Sequence, residues 1–370
     1  MKIAIFIADE GYGHAMRQKN IIHELLDHLP FLKITVFGKD KLDILKDEFE
    51  DRIAYVDIFN LLLTAKDEKG NLDVDNTKDL FYEWYKNRND WINKTLSYID
   101  PETELIISDS VPQISEVSKK FNIKQFNIQH FTWDWLYSEL YGQDDIYKRL
   151  NNDYKAWGEF IFPPLTPLQN LNIHNEHKKI GLIVNRRLVR CANKKSPINN
   201  QIKKSVLLMN NGTQSLSSLI SEILFEIPFN DGWEFLLRSE SLSEKDKRQA
   251  LKRNDFKIIT GLTNTHMAIA NSDIVLARGG YNIISELLAL NKPSILIDEK
   301  HNPEIESNLN LAKNYKNVEI TSKQNTIDKL YKLIKSYEKN KDQYEPFNSK
   351  ISCIGASQVL LKIANDFELY

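Results

Sequence analysis

Gly11-Tyr12-Gly13-His14 stands between an apolar run, residues 2–8, and a helical pattern through Ile21, Ile22, Leu25, Leu26 and Leu29. An imidazole held at such a turn is a base available near neutral pH. Proton removal by a positioned base of this kind contributes roughly 10²–10⁴ in rate. It works best beside a carboxylate that orients the ring and stabilises the imidazolium. Asp109, the last residue of the apolar run 104–109, is the candidate for that partner. Each residue also has a plainer reading. His14 would then hydrogen-bond the backbone of its own turn, and Asp109, with Ser110, would cap the helix through Ile114 and Val117. Asp9, Glu10 and Arg17 lie beside His14 in the chain and carry no assigned role.

Two more loops bear the glycine mark: Asn210-Asn211-Gly212-Thr213-Gln214 and Arg278-Gly279-Gly280-Tyr281, each after an apolar run. Such a loop leaves backbone N–H groups free and opens a helix N-terminus, an arrangement suited to phosphate. Three of them, spread over two domains, predict a nucleotide-linked ligand. Glu286 sits on the margin of the helical pattern Ile283, Ile284, Leu287, Leu288. There its carboxylate either accepts both hydroxyls of a ribose or faces solvent. Asp73 and Asp75 form an Asp-x-Asp pair, but in a polar loop with no strand to deliver it, so no metal is expected.

The elements that must hold these groups alternate. Strands are predicted at 2–8, 33–38, 52–58, 104–109 and 124–129, then at 181–185, 205–210, 233–238, 256–260, 273–277 and 294–298. Helical apolar spacing fills the gaps, and residues 80–99 read as an aromatic-rich helix. Strand and helix in alternation predict an α/β fold of parallel sheets covered by helices. The proline-rich 162–167 and the polar stretch after it interrupt the series, predicting an N-terminal domain over 1–170 and a second over 180–350. A last amphipathic helix is expected within 355–370.

Composition narrows the partners. Forty-nine basic against 51 acidic residues offer no electrostatic footprint for nucleic acid. Two distant cysteines, Cys191 and Cys353, predict neither a disulfide framework nor a zinc site. No apolar run is long enough to span a membrane, and the run from Ile3 meets Asp9 and Glu10 too soon for a secretory signal. A soluble, cytoplasmic protein is expected, with peripheral membrane contact left open.

The segment from Asp273 through Arg278-Gly279-Gly280, Glu286 and Lys292-Pro293 to Asn308 or Asn310 resembles the donor-binding signature of GT-B glycosyltransferases. The likeness is to the bacterial N-acetylglucosaminyltransferases that make lipid-linked peptidoglycan precursors. The signature's final Gln is replaced by Glu304 or Glu306, according to which Asn is matched. Gly11-x-Gly13-His14-x-x-Arg17 is similar to a motif of the same superfamily and of related nucleotide-sugar hydrolases. Residues 107–112, 131–137 and 183–187 resemble the glycosyltransferase-like domain of plant L-arabinokinases.

The resemblance implies a GT-B fold: two Rossmann-like domains facing a cleft, with the C-terminal helix crossing back onto the first. It implies a metal-independent, inverting transfer of sugar from a nucleotide donor, UDP-linked by expectation, to an acceptor hydroxyl. No cofactor is called for, because the sugar nucleotide is a substrate. His14 would be the base, paired with Asp109 as in many plant-type members. Gly212, Thr213, Gln214, Leu262, Thr263, Arg278, Gly279, Gly280, Glu286 and Glu304 would meet the donor. Gly11, Gly13, Arg17 and Trp133 would line the acceptor side, the acceptor being a glycan, lipid carrier, protein or small molecule. A hydrolase using the same site, or a non-catalytic sugar-nucleotide-binding protein, are the alternatives.

Overall fold

Ile3 to Ile7 are apolar at every position, which suits a strand covered on both faces rather than one. In the computed structural model this run is the strand β1 (Lys2–Ile7). Ile3, Ile5 and Ile7 pack on one side of the sheet, while Ala4 and Phe6 pack on the other. The structure describes residues 1–60, 64–68, 71–171, 177–185, 204–209, 216–227, 232–238, 242–259, 265–299, 301–339 and 351–369.

The chain forms two compact units. The first comprises Met1–Lys66, Leu72–Ile183 and Cys353–Tyr370, the second Asp67–Asn71 and Val184–Ser352. In the first, β1, β2 (Lys33–Gly38), β3 (Ala54–Asp57), β4 (Leu105–Asp109), β5 (Lys124–Ile128), β6 (Glu159–Phe162) and β7 (His177–Lys179) make one sheet. Its order is β3-β2-β1-β4-β5-β6-β7, every pair parallel. The helices are α1 (Gly11–His28), α2 (Asp43–Phe49), α3 (Val74–Tyr98), α4 (Ile114–Phe121), α5 (Trp133–Tyr141) and α6 (Asp145–Ala156).

The second unit repeats the plan with β8 (Lys204–Met209), β9 (Trp233–Arg238), β10 (Phe256–Ile259), β11 (Ile274–Arg278), β12 (Ser294–Ile297) and β13 (Val318–Thr321). Their order is β10-β9-β8-β11-β12-β13, again parallel throughout. Its helices are α7 (Ser217–Glu226), α8 (Glu244–Ala250), α9 (Thr265–Asn271), α10 (Tyr281–Ala289), α11 (Pro303–Ala312) and α12 (Thr326–Lys339). Val206, Leu208, Phe235, Leu276 and Ile295 bury one face of this sheet against α7 and α12.

Residues 181–185, expected to be a strand, have no regular structure. Their backbone is engaged by the last helix, α13 (Gly355–Asp366): Gly355 N–H donates to Leu182 O at 3.0 Å, and Gly181 N–H donates to Gln358 Oε1 at 2.6 Å. The approach is close, since a Cβ on Gly355 would lie 2.2 Å from Gly181 O. Val359, Leu360 and Ile363 of α13 then join the cluster of Ile21, Ile22 and Leu25 on α1. Ser357 donates to the buried Glu24 carboxylate, also on α1, at 2.7 Å.

Candidate active site

Open parallel sheets bind ligands where the strand order reverses direction, beyond the strands' carboxyl ends. In the first unit that point lies between β1 and β4. Gly11 opens α1 with φ +65°, a conformation glycine adopts freely. It turns the chain so that Tyr12 and Gly13 stay exposed while His14 points inward. His14, Arg17 and Gln18 stand at i, i+3 and i+4, hence on one face of the helix, and all three converge on Asp109. His14 Nδ1 lies 2.8 Å from Asp109 Oδ1. Arg17 donates Nε to Oδ2 at 2.9 Å and Nη2 to Oδ1, and Gln18 Nε2 donates to Oδ2 at 2.8 Å.

Asp109 is fully buried and His14 is 5% exposed. Burial opposes a charge on Asp109, but the Arg17 guanidinium and His14 outweigh it and hold the carboxyl well below the usual carboxylate range. Asp109 is therefore an ion by design of its surroundings. It does not cap α4, whose N-cap is Gln113.

Other neighbours have structural work. Asp9 accepts from the backbone N–H groups of Lys39, Asp40 and Asn60, tying together the ends of three strands. Glu10 holds Thr64 and pairs with Lys66. Asp73 caps α3 through Asn76 N–H, which accounts for half of the Asp-x-Asp pair. Trp133, expected on the acceptor side, is wholly buried, with its indole N–H donating to Ser110 O at 2.8 Å. It belongs to a core cluster with Phe131, Tyr137, Tyr154 and Phe160, so it has no free face to stack on a sugar. A residue the sequence did not single out completes the group. His130, just past β5 and 4% exposed, lies with Nδ1 3.0 Å from Arg17 Nη1.

In the second unit the signature divides between the two ends of the sheet. Asp273 and Lys292 lie at the amino ends of β11 and β12. Asp273 accepts from Ser205 N–H and the Tyr337 hydroxyl, and Lys292 donates to carbonyls of Ala270 and Ser272. At the carboxyl ends are Arg278, Gly279, Gly280 and Glu286. Arg278, expected to meet the donor, is ion-paired with Glu299, which also accepts from Asn302; its charge is already balanced. A Cβ on Gly279 would sit 2.7 Å from Leu309 Cδ2, so this glycine serves the packing of α11. Gly280, the N-cap of α10, has open space instead, its nearest contact being Ile283 of its own helix at 3.9 Å.

Glu286 is part-exposed as a residue, yet its carboxyl is desolvated, and burial pushes it up to about 7. No ion-pair partner for it is present among the described residues. Asn308 is buried and donates to Gly279 O, whereas Asn310 is exposed. Glu304, part-buried, and Glu306, exposed, both lie in the first turn of α11. Gly212, Thr213, Gln214, Leu262 and Thr263 lie outside the described residues. Glu299 and Asn302 were not anticipated, although Glu299 follows a strand at its carboxyl end, the position where such residues gather. Among the described residues no three His, Cys, Asp or Glu side chains are grouped to hold a metal, and no helix is long and apolar enough to cross a membrane.

Residues 210–359 match the glycosyltransferase family 28 C-terminal domain. No curated protein matches the sequence. Among solved structures, the glycotransferase of kitacinnamycin superposes with a TM-score of 0.69 at 13% identity, covering 99% of this chain and 98% of that one. Arabidopsis thaliana UGT89C1 complexed with UDP-L-rhamnose gives 0.61 at 13% identity over 99% and 98%. Acinetobacter baumannii MurG gives 0.60 at 7% identity over 98% and 99%.

Proposed function

We propose that this chain, whose fold is that of the GT-B structures it superposes on and whose residues 210–359 match the glycosyltransferase family 28 C-terminal domain, transfers a sugar from a UDP-linked donor to an acceptor hydroxyl. The observation that carries the proposal is the buried His14–Asp109 pair at the switch point of the first sheet. His14 removes the proton of the hydroxyl as its oxygen attacks the anomeric carbon and the diphosphate leaves. Asp109 orients the imidazole and stabilises the imidazolium that results. A single direct displacement inverts the anomeric centre.

The donor binds the second unit. Gly280 leaves room for the diphosphate at the N-terminus of α10, where backbone N–H groups and the helix dipole favour negative charge. Helix termini take the place a metal has elsewhere, so no cofactor is required. Glu286 accepts the ribose hydroxyls, and Gly212, Thr213, Gln214, Leu262 and Thr263 complete the contacts. Glu304, a carboxylate where the signature has Gln, faces the sugar hydroxyls or the phosphates. It sets a donor preference different from that of the N-acetylglucosaminyltransferases.

The test uses UDP-sugars with and without a panel of acceptors. His14→Ala is expected to keep UDP binding, read by thermal shift, and to lose about 10²–10⁴ in turnover. Undiminished turnover in that variant would remove the base. Sugar release that is equally fast with water alone would replace the transferase by a hydrolase.

A further inference from the structure

A base needs its lone pair on the right nitrogen, and the surroundings of His14 decide which one that is. Nδ1 lies 2.8 Å from an oxygen of the ionised Asp109. At that distance two lone pairs would repel, so Nδ1 carries a proton and donates it. Arg17 Nη2 lies 3.1 Å from the same Nδ1, but a guanidinium has no acceptor and donates only. Its hydrogens go to Asp109, through Nε on Oδ2 and Nη2 on Oδ1. The other side of the guanidinium faces His130, whose Nδ1 lies 3.0 Å from Nη1. Since Arg17 donates there too, His130 Nδ1 is the bare nitrogen and its proton is on Nε2. Hydrogen positions follow here from the network of partners.

We propose that Arg17 is a positioning residue that fixes the two buried imidazoles in opposite tautomers, Nδ1–H on His14 and Nε2–H on His130. Nε2 of His14 is thereby left as the proton acceptor. The catalytic meaning of this arrangement rests on the function proposed above; the tautomers themselves do not. Arg17 is 1% exposed, and its bidentate grip sets the carboxylate plane that His14 meets. It also balances the Asp109 charge. Among the described residues, Asp109 and Arg17 are the charged groups within hydrogen-bond distance of His14, and His130 lies beyond Arg17.

Two-bond ¹H–¹⁵N correlation spectra of the full chain, labelled at its eight histidines, read the tautomers directly. His14→Gln and His130→Gln assign the two signals. The expected result is the Nδ1–H pattern for His14 and the Nε2–H pattern for His130. In Arg17→Gln the guanidinium fork is gone, so His130 is expected to lose its single Nε2–H pattern. Arg17→Lys keeps the charge but not the fork, so His130 loses its single tautomer there too. Should Arg17→Gln fail to fold, the wild-type spectra and Arg17→Lys still decide. An Nε2–H pattern on His14, an Nδ1–H pattern on His130, or an unchanged His130 pattern in folded Arg17→Gln or Arg17→Lys overturns the proposal. Correct tautomers together with full turnover in His14→Ala would leave it standing and remove the base reading instead.

Discussion

Glu286 is a liability to the folded second unit, and the size of that liability follows from its surroundings. Its carboxyl is carried from an ordinary 4.5 to about 7 by desolvation, with no cation among the described residues to offset the cost. A carboxyl raised on folding contributes stability below its unfolded value, and that contribution is lost as pH rises toward the folded one. Near pH 8, where the group is ionised in both states, the charge works against folding by about 3 kcal/mol. Near pH 5 the native group is protonated, and less than about 1 kcal/mol remains. Glu286→Gln removes the charge with little change of shape. It is therefore expected to be more stable than wild type, by an amount that grows by about 2 kcal/mol between those two conditions.

Urea denaturation at the two pH values reads this as a midpoint that rises by roughly 1 M only on the alkaline side, for a slope of about 2–3 kcal/mol/M. The ligand arm runs the opposite way. If the ionised carboxylate accepts ribose hydroxyls, UDP at ~100 Kd stabilises wild type by about 2.7 kcal/mol and the variant far less. Because UDP selects the ionised form, its binding also releases a proton below pH ~7, so affinity rises with pH up to that point. Parallel wild-type and variant stabilities across the whole range would refute the desolvation argument. A UDP shift retained in the variant would refute the ribose contact.

Other substitutions separate packing from ligand contact. Gly355→Ala forces a Cβ against Gly181 O, backbone on backbone; a loss of several kcal/mol is expected, on the order of the larger single-site effects, seen as a lowered urea midpoint of the first unit. Gly279→Ala should cost about 1–3 kcal/mol by crowding Leu309 and Ile305, whereas Gly280→Ala should leave stability nearly unchanged and weaken UDP binding in a thermal-shift titration. Glu299→Gln frees Arg278; if the guanidinium is within reach of the diphosphate, UDP affinity rises, and an unchanged affinity would place Arg278 outside that contact.

The sheets were legible where strands are buried on both faces. The runs at 33–38 and 233–238 became β2 and β9 with no shift of boundary, because continuous β-branched and aromatic stretches have few other uses. The edges were not legible. The strand β7 is His-Lys-Lys, exposed along its length and paired to β6. Residues 181–185 carry a strand's composition but meet a helix that arrives more than 170 residues later. Trp133 shows the same limit at the site: an aromatic just beyond a strand reads alike whether it faces a ligand or fills a core.

The His14–Asp109 pair was legible for a different reason: Asp109 ends β4, and His14 lies in the first turn of the helix that follows β1, so a parallel sheet gathers them at one edge. Asp109 needed only the apolar run before it, and His14 only the glycine turn. The Arg17 bridge needed more. Its spacing from His14, i to i+3, was open to inspection and pointed to a shared helix face. Its other end, His130, lies 113 residues away and comes near only because β5 pairs with β4. The donor signature divides along the same line. Asp273 and Lys292 spend their polar groups on backbone and core at the amino ends of the strands, so they serve the frame on which the site is built. Gly280 and Glu286 differ: Gly280 leaves open space where a Cβ would stand, and Glu286 holds a desolvated carboxyl with no ion-pair partner among the described residues. Groups the frame does not use, and that cost it stability, are the ones a ligand must explain.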